Sequence, residues 1–459
     1  MTMQQEAESG LSLDEQTYRR ELGDGLLLRW SAPGDVERLV TLFCDVFQPH
    51  EEAPPEQYWV RDMMGSHHPH ISGHDFAVVE EIATGRIVAS TGLFANRVSY
   101  DDIPFMLGRA VIVATEAAYR DRGLQRAIFG LIHARSAARG HLVQGITGIP
   151  YYYRQFGYEY AIDLEWMRHV YVAAIPPLPP GEAVPYALRP ATEEDILLLV
   201  DLSTRERARW QVATVLDERA WRWMALESDP AGRNPGVAYV ITTAEGADIG
   251  YMLLSRGRPR DSLGIWGMAV KEGVSLIEVA PHALRAVRDL VLAGAFPSYR
   301  QDTPPFARFR LEMGPGHALF DALGPDLAPL SGNRYAWYVR IPDVPVFIRH
   351  IAPALERRLA GSALDGHTGE LCVDFYHGGL RLAFDRGKLV TADELRKPTW
   401  GDDWTHARFP PQVFTQLLLG YRSYADLSYA YIDAWAEGVD RALLETLFPP
   451  RPSYMLPLY

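Results

Sequence analysis

Cysteine is nearly absent from this 459-residue sequence, which holds only Cys44 and Cys372. Two cysteines so far apart form neither a disulfide framework nor a cysteine zinc site, and they fit a reducing compartment. No apolar run approaches the roughly 20 residues of a membrane-spanning helix. The polar, acidic opening MTMQQEAESGLSLDEQ lacks the pattern of a secretory signal. We therefore expect a cytoplasmic protein with no membrane partner.

Positive charge is also in short supply, with 45 Lys and Arg residues against 58 Asp and Glu residues and a net charge of -13. Such a balance argues against binding to a phosphate backbone, so no nucleic-acid partner is expected. An acidic field attracts cations and mildly favours amine substrates. The length and the 47% hydrophobic content are those of a globular chain of about three domains.

An internal echo divides the first two thirds of the chain. Leu28-Arg29, Asp35, Leu39-Val40 and Leu42 recur with the same spacing 160 residues later, as Leu188-Arg189, Asp195, Leu199-Val200 and Leu202. Each copy reads as a strand, a turn ending in a capping Asp, and an amphipathic helix. The pattern predicts a duplicated α/β domain.

Proline marks the boundaries between the predicted domains. The linker AAIPPLPPGEAVP ends the first copy, because its prolines fix an extended path. A proline turn and an amphipathic helix follow the strand-like NRYAWYVRI, and a short run of strands and helices completes an α+β unit. The predicted units are a mobile or helical N-terminal arm (1–23), a first domain (24–174), a second domain (175–341) and a third (342–459).

The segment GRAVIVATEAAYRDRGLQRAIFGLIHARSAARG predicts a strand, a glycine-bearing loop and a helix beginning near Gly123. A pyrophosphate at such a point meets free backbone N–H groups and the positive end of the helix dipole. Solvated arginines on an ordinary turn are the alternative. The predicted cofactor-binding residues are Ile112, Val113, Ala114, Thr115, Arg120, Arg122, Gly123, Leu124, Gln125 and Arg126.

An aromatic cluster, PYYYRQFGYEY, follows the next predicted strand. A tyrosine hydroxyl, with a pKa near 10, suits a proton donor to a departing thiolate within hydrogen-bond reach. For the rings other than Tyr153, a place in the core or the wall of the site is the stronger interpretation.

The two motifs together resemble the GNAT superfamily of N-acetyltransferases. VATEAAYRDRGLQRA resembles the acetyl-CoA motif [QR]-x-x-G-x-[GA], with Arg120, Gly123 and Gln125 at its three positions. Gln125 departs from the motif, and its side chain could crowd the phosphate. The Tyr three residues before the F-G pair, Tyr153, is the general acid that this resemblance implies. It also implies a splayed central sheet in which a backbone N–H near Val113 polarises the thioester carbonyl.

The layout of residues 24 to 459 resembles the Eis family of acetyltransferases, with a GNAT domain, a degenerate GNAT copy and a sterol-carrier-like domain. The resemblance implies that the carboxylate of Tyr459 acts as the base, a homo-oligomer, expected to be a hexamer, and acetylation of aminoglycoside-like or polyamine-like molecules or of lysine side chains. A tail that is merely packed is the alternative for Tyr459. In the second copy, GMAVKEGVSLIEVAPHALRAVRDL lacks the Arg-x-x-Gly, so we expect it to bind no CoA.

Three acidic residues, Asp45, Glu51 and Glu52, are predicted to bind a cationic substrate, although solvated loop acids are an alternative. His67, His68, His70 and His74 suggest a metal, but their loop context favours a substrate-loop or surface role, so no metal is predicted. The leading hypothesis is an acetyl-CoA-dependent N-acetyltransferase. The alternative is a non-catalytic acyl-CoA sensor or lipid carrier.

Overall fold

The computed structural model describes residues 12–48, 55–232, 236–298, 303–331, 335–395 and 407–457, apart from the side chains at positions 165 and 166. The first segment forms β1 (Arg19–Gly23), β2 (Leu26–Trp30), α1 (Val36–Phe47), α2 (Glu56–Met64), β3 (Phe76–Glu81), β4 (Arg86–Tyr100), β5 (Ile103–Thr115), α3 (Leu124–Ala138), β6 (Val143–Ile146) and β7 (Glu159–Tyr171). Helices α1 and α2 pack on one face of this sheet and α3 packs on the other.

The second segment repeats this order from β2 onward, with one additional strand and one additional helix. It forms β8 (Tyr186–Pro190), α4 (Ile196–Arg207), β9 (Val212–Thr214), α5 (Glu218–Arg222), β10 (Val237–Thr243), β11 (Asp248–Leu254), β12 (Ser262–Val270), α6 (Leu276–Leu292), β13 (Arg308–Met313), α7 (Ala318–Leu327) and β14 (Tyr335–Arg340). The third forms α8 (Val344–Ala360), β15 (Gly369–Asp374), β16 (Gly379–Asp385), β17 (Lys388–Leu395), β18 (Ala407–Arg408), α9 (Pro411–Leu418), α10 (Tyr424–Ala430), β19 (Trp435–Ala436) and α11 (Gly438–Leu447).

One sheet runs through both copies, in the order β1-β2-β3-β4-β5-β6-β14-β7-β13-β12-β11-β10-β8. In the middle of this sheet, strands of the first segment pair with strands of the second. Strand β14, from the second segment, inserts between β6 and β7 of the first. The far half of β7 pairs with β13 of the second segment. The two copies are therefore interlocked, and the division near residue 174 separates them in sequence while their strands are shared.

The residues that recur in the internal echo form the same ion pair in both copies. Arg29 donates two hydrogen bonds to the carboxylate of Asp35, and Arg189 does the same to Asp195. Each aspartate also accepts the backbone N–H at the start of its turn, from Ala32 and Thr192. The pair thus ties strand, turn and helix together in both copies. The predicted tandem GNAT fold followed by a further α+β unit is confirmed.

The expectation of a mobile or helical arm is wrong for the described residues 12–23. Strand β1 extends the sheet as a hairpin with β2, and Tyr18 is buried. The indole of Trp30 donates to the carbonyl of Leu13, and Arg135 of α3 donates to the carbonyl of Asp14. These backbone contacts leave little trace in a hydrophobic pattern, which is why the sequence did not reveal them. Residues 1–11 lie outside the described part.

Candidate active site

The first feature of the site is a bulge in β5. Ser90 of β4 pairs with Ala114, but Gly92 pairs with Val111, so β5 carries one extra residue here. Ile112 takes up the irregularity with φ at +47°, a conformation that a branched side chain rarely adopts. Such strain is typical of functional positions, because it turns backbone groups away from the ladder.

The second feature is an opening beside the bulge. Strands β5 and β6 pair in parallel only from Leu107 and Val143 to Arg109 and Gly145. Beyond that point β5 continues to Thr115 on its own side of the gap. The splay that the resemblance implies therefore lies next to Ile112, Val113 and Ala114.

The loop that follows β5 leads directly into α3. Gly123 caps the helix with φ at +73°, and no atom lies within 4 Å of the point where a Cβ would stand. The first N–H groups of a helix have no acceptor within the helix, so they are available to an anion here. The predicted loop, its glycine and the helix start have the expected order.

Arginines surround this helix start. Arg120 donates to the carbonyl of Thr115, and the Arg122 guanidinium lies 5.1 Å from the ring centroid of Tyr119. Arg126 donates to the side chain of Gln155. A cavity of about 220 Å³ lies between the β1–β2 turn and the start of α3, lined by Arg20, Leu22, Gly23, Asp24, Leu26, Arg122, Gly123, Leu124, Arg126 and Ala127. Charge and open space thus coincide at the end of β5.

Gln125 is buried beneath the first turn of α3. Its amide nitrogen lies 2.8 Å from the carbonyl oxygen of Ala114 and 3.0 Å from the Thr115 hydroxyl, and its amide oxygen accepts from Thr91. The side chain therefore points back toward the ends of β4 and β5. The departure from Gly or Ala at this position fastens the helix to the sheet, and the amide is directed away from the loop.

Tyr153 lies in a single helical turn, Tyr152–Phe156, after β6. It is buried in one apolar cluster with Ala110 and Ile146, the residues just past the last β5–β6 pair. Its ring packs against Phe129 of α3 and Tyr338 of β14. The hydroxyl would stand 3.4 Å from a Cβ at Gly148, so the glycine leaves that side open.

Burial raises the pKa of the Tyr153 hydroxyl well above its usual value, and neighbouring tyrosines add to the effect. Tyr153 is consequently protonated at neutral pH and able to donate a proton.

The predicted substrate-binding acids are not gathered by the described structure. Asp45 is exposed near the end of α1, and Glu51 and Glu52 lie outside the described residues. Sequence reasoning missed the interior acid Asp62 of α2, whose carboxylate lies 2.7 Å from the Nε2 of His67. Asp62 is buried, and no local motif distinguished it from the other helix acids.

Of the two roles predicted for the histidine group, in a substrate loop or at the surface, the surface role is wrong for His68. This residue is buried, and its ring packs against Phe94 of β4 and Trp223 of the second segment. Burial lowers its pKa well below the usual range, and it lowers the pKa of His70 to about 4. Both imidazoles are therefore neutral at pH 7, and they lie where the first copy packs against the second. Among the described residues, no three His, Cys, Asp or Glu side chains form a group suited to a metal ion.

The second copy keeps the framework without the same residues. Its strand β12 bulges at Trp266, and β12 and β13 pair only as far as Ile265 and Leu311. The loop into α6 is short, residues 271–275 against 116–123 in the first copy. After β13, Phe320 precedes Leu323-Gly324 by the spacing that separates Tyr153 from Phe156-Gly157. The absence of Arg-x-x-Gly pointed to this degeneracy, but the phenylalanine in place of tyrosine was missed.

The end of the chain packs along β9. The N–H of Tyr454 donates to the carbonyl of Val212, and the N–H of Leu456 donates to the Thr214 hydroxyl. Strand β9 is antiparallel to β4, with Val212 opposite Tyr100 and Thr214 opposite Val98. The tail therefore advances along β4 in the direction of the bulge. Tyr459 itself lies outside the described residues.

No helix among the described residues is both long and apolar enough to span a membrane. No curated protein sequence matches the chain. Residues 28–161 match a family model described as an acetyltransferase (GNAT) domain.

Solved structures match the fold over nearly the whole chain. A conserved protein of unknown function from Enterococcus faecalis V583, described as a probable N-acyltransferase, is 14% identical with a TM-score of 0.67, and the match covers 95% of this chain and 99% of that one. A GCN5-related N-acetyltransferase from Kribbella flavida is 17% identical with a TM-score of 0.62, over 95% and 98% of the two chains. Eis1 from Mycobacterium abscessus is 16% identical with a TM-score of 0.57, over 94% and 99%. Over residues 28–161, around the bulge, the opening and the capped helix, the chain carries a GNAT acetyltransferase domain.

Proposed function

We propose that this protein transfers the acetyl group of acetyl-CoA to primary amines, either on polycationic small molecules of the aminoglycoside or polyamine kind or on lysine side chains. The observation that carries the proposal is the arrangement at the end of β5. A bulge at Ile112, an opening toward β6 and a glycine-capped helix follow one another along a single strand–loop–helix unit.

Acetyl-CoA fits this unit in two places. The pantetheine arm would enter the opening beside residues 112–114 and pair with strand backbone. The pyrophosphate would lie against the N–H groups of Gly123, Leu124, Gln125 and Arg126, where the helix dipole and the adjacent arginines favour negative charge. The open space around Gly123 supports this position, because phosphate oxygens can approach the backbone closely.

Tyr153 is the general acid in this proposal. The amine nitrogen attacks the thioester carbonyl, and a backbone N–H near Val113 stabilises the oxyanion. When the tetrahedral intermediate collapses, the C–S bond breaks and the tyrosine proton passes to the thiolate. The protonation state of Tyr153 is compatible with this role, because the hydroxyl holds its proton at neutral pH until the thiolate departs.

The carboxylate of Tyr459 is our candidate for the base that removes a proton from the amine. Its support is the direction of the described tail. Leu456 bonds to Thr214, opposite Val98, while the ladder between β5 and β6 ends at Arg109, opposite Phe94. At about 3.3 Å per residue, three more residues in an extended path would span about 10 Å of the roughly 13 Å between these two levels.

Further features are proposed from the same resemblance. An Eis-like subtype is supported by the likeness to Eis1 and by the three-part layout. A sterol-carrier-like identity for the third unit, assembly into a hexamer, and a cytoplasmic location accompany it. The net charge of -13 supports a cationic acceptor, with Asp45, Glu51 and Glu52 proposed as its contacts.

The test follows release of the CoA thiol from acetyl-CoA with a panel of aminoglycosides, polyamines and a lysine peptide. We expect release with at least one amine and a fall of kcat by roughly 100-fold or more in Tyr153→Phe. The matched control is Tyr158→Phe, a buried tyrosine of the same cluster whose hydroxyl contacts His133.

Two variants of the C-terminus test the proposed base. Removal of Tyr459 and addition of one glycine after it both displace the carboxylate, and both should lower kcat while acetyl-CoA binding persists. Tight acetyl-CoA binding with no release from any amine would favour an acyl-CoA sensor. An absence of acetyl-CoA binding would contradict the proposal.

A further inference from the structure

The second copy contains an opening that corresponds to the proposed CoA site of the first. In both copies the parallel ladder stops just before the bulge, at Arg109 and Gly145 in the first and at Ile265 and Leu311 in the second. The first residues past the ladder in the second copy are Trp266 and Glu312. Their carbonyl oxygens are acceptors that an extended ligand between the strands would use.

A side chain from the end of the protein occupies that position. The hydroxyl oxygen of Tyr454 lies 3.2 Å from the carbonyl oxygen of Trp266 and 3.0 Å from that of Glu312. Its single proton is shared between one acceptor on each strand. The indole of Trp266 donates to the carboxylate of Glu312 at 2.7 Å, which joins the two strands a second time. The second opening is therefore closed by contacts within the chain.

The residues around Tyr454 are shaped to receive it. A Cβ at Gly314, just after β13, would stand 2.7 Å from the Cβ of Tyr454 and 2.8 Å from the Trp210 ring. Only glycine fits there without displacing one of them. Trp210 packs against the Tyr454 ring with the centroids 5.9 Å apart.

We propose that Tyr454 is a positioning residue, which uses the vestigial opening of the second copy to hold the C-terminal tail in line with the active site of the first. This inference rests on the proposed function, because it assigns the anchor of the carboxylate that acts as base. An anchor five residues before the chain end restricts the volume that the carboxylate explores, and so raises its effective concentration at the amine.

The first experiment combines Tyr454→Phe with removal of Tyr459. The substitution keeps the ring and removes only the hydroxyl. We expect kcat for the amine to fall about fivefold, as loss of one hydrogen bond implies, with KM for acetyl-CoA unchanged. In the chain that lacks Tyr459, the same substitution should leave kcat unaltered, because the terminal carboxylate is already displaced from the amine and the anchor no longer positions it there. Tyr429→Phe, at a tyrosine that is 95% exposed on α10, is the matched control.

Hydrogen exchange gives a readout that does not depend on activity. Tyr454→Phe and Gly314→Ala should both accelerate exchange at the amides of Tyr454 and Leu456, by about fivefold in the first variant. Exchange that is unaltered in both variants would overturn the anchor. A fall of kcat in Tyr454→Phe that persists without Tyr459 would also overturn it. If wild type acetylates no amine, the proposed function fails, and accelerated exchange still establishes the anchor.

Discussion

The first and second copies place the same arginine–aspartate pair at the same point of the fold, yet the surroundings of the two pairs differ. The side chains of Arg29 and Asp35 are 7% and 1% exposed, whereas the Arg189 side chain is 38% exposed. Both copies also keep a bulge and an opening. The residues that would perform chemistry differ more. The second copy has a short loop, Phe320 in place of Tyr153, and Tyr454 in its opening. The second copy thus keeps the framework of the fold without the residues proposed for chemistry, because packing and ion pairs stabilise that framework independently of the site.

The largest difference between the copies should appear when the paired arginine is removed. Arg29→Met leaves two carboxylates, Asp35 and Glu80, without their buried partner, and we expect a loss of about 3 kcal/mol in the free energy of unfolding. Arg189→Met removes a half-exposed guanidinium and should cost about 1 kcal/mol. Chemical denaturation measures both values. Equal losses in the free energy of unfolding would show that the two ion pairs stabilise the protein equally, despite the different exposure of their arginines.

Substitution of the glycines in the two loops separates an effect on acetyl-CoA binding from an effect of backbone strain on stability. Gly123 and Gly273 have φ values of +73° and +80°, and neither has an atom within 4 Å of its Cβ position. Replacement by alanine should cost each copy about 1 kcal/mol of stability. Only Gly123→Ala should also weaken acetyl-CoA binding, on the order of tenfold, because its loop is the proposed site of the pyrophosphate. Fluorescence or calorimetric titration checks this, and equal effects on binding would contradict the assignment of the site.

Glu206 should affect only the pH dependence of stability. It stands in α4 where the equivalent helix of the first copy has Val46, 160 residues earlier. Burial raises its pKa to about 7, although Arg209 acts in the opposite direction. His317, with a Nε2 atom 3.7 Å away, has a pKa lowered to about 3 by burial and stays neutral above pH 5.

Because the folded-state pKa of Glu206 is raised, its stabilising contribution is complete below pH ~4.5 and is lost as the pH rises through about 7. Glu206→Gln should remove on the order of 2 kcal/mol of the decline in unfolding free energy between pH ~5 and ~8, because each pKa unit corresponds to about 1.4 kcal/mol. Glu272→Gln, with a side chain that is 91% exposed, is the control and should leave the decline unaltered. A decline that is the same in Glu206→Gln and in wild type would refute the assignment.

Local features of the site were predictable from the sequence. Strand, loop and helix around Gly123 follow from an apolar run, a glycine and a helical pattern, and the echo of Arg29 and Asp35 in Arg189 and Asp195 predicted the duplication. Features that depend on distant partners were not predictable. Strand β14 lies between β6 and β7, and the alternation of apolar and polar residues along a strand does not identify the strands beside it.

The same limit applies to particular side chains. The sequence left open that the Gln125 side chain crowds the phosphate, but its contacts are with Thr91, Ala114 and Thr115. The loop context of His68 predicted a substrate-loop or surface role, but the residue is covered by Trp223, which lies more than 150 residues further along the chain. Burial of this kind arises when the two copies pack together, so no local motif records it.

Acetyl-CoA should bind to the first copy and not to the second. Calorimetric titration of the intact chain with acetyl-CoA distinguishes the two copies. We predict one molecule bound per chain, with binding weakened by Gly123→Ala and unaltered by Gly273→Ala. Two molecules per chain, or one that is sensitive to Gly273→Ala and insensitive to Gly123→Ala, would show that the second copy binds acetyl-CoA.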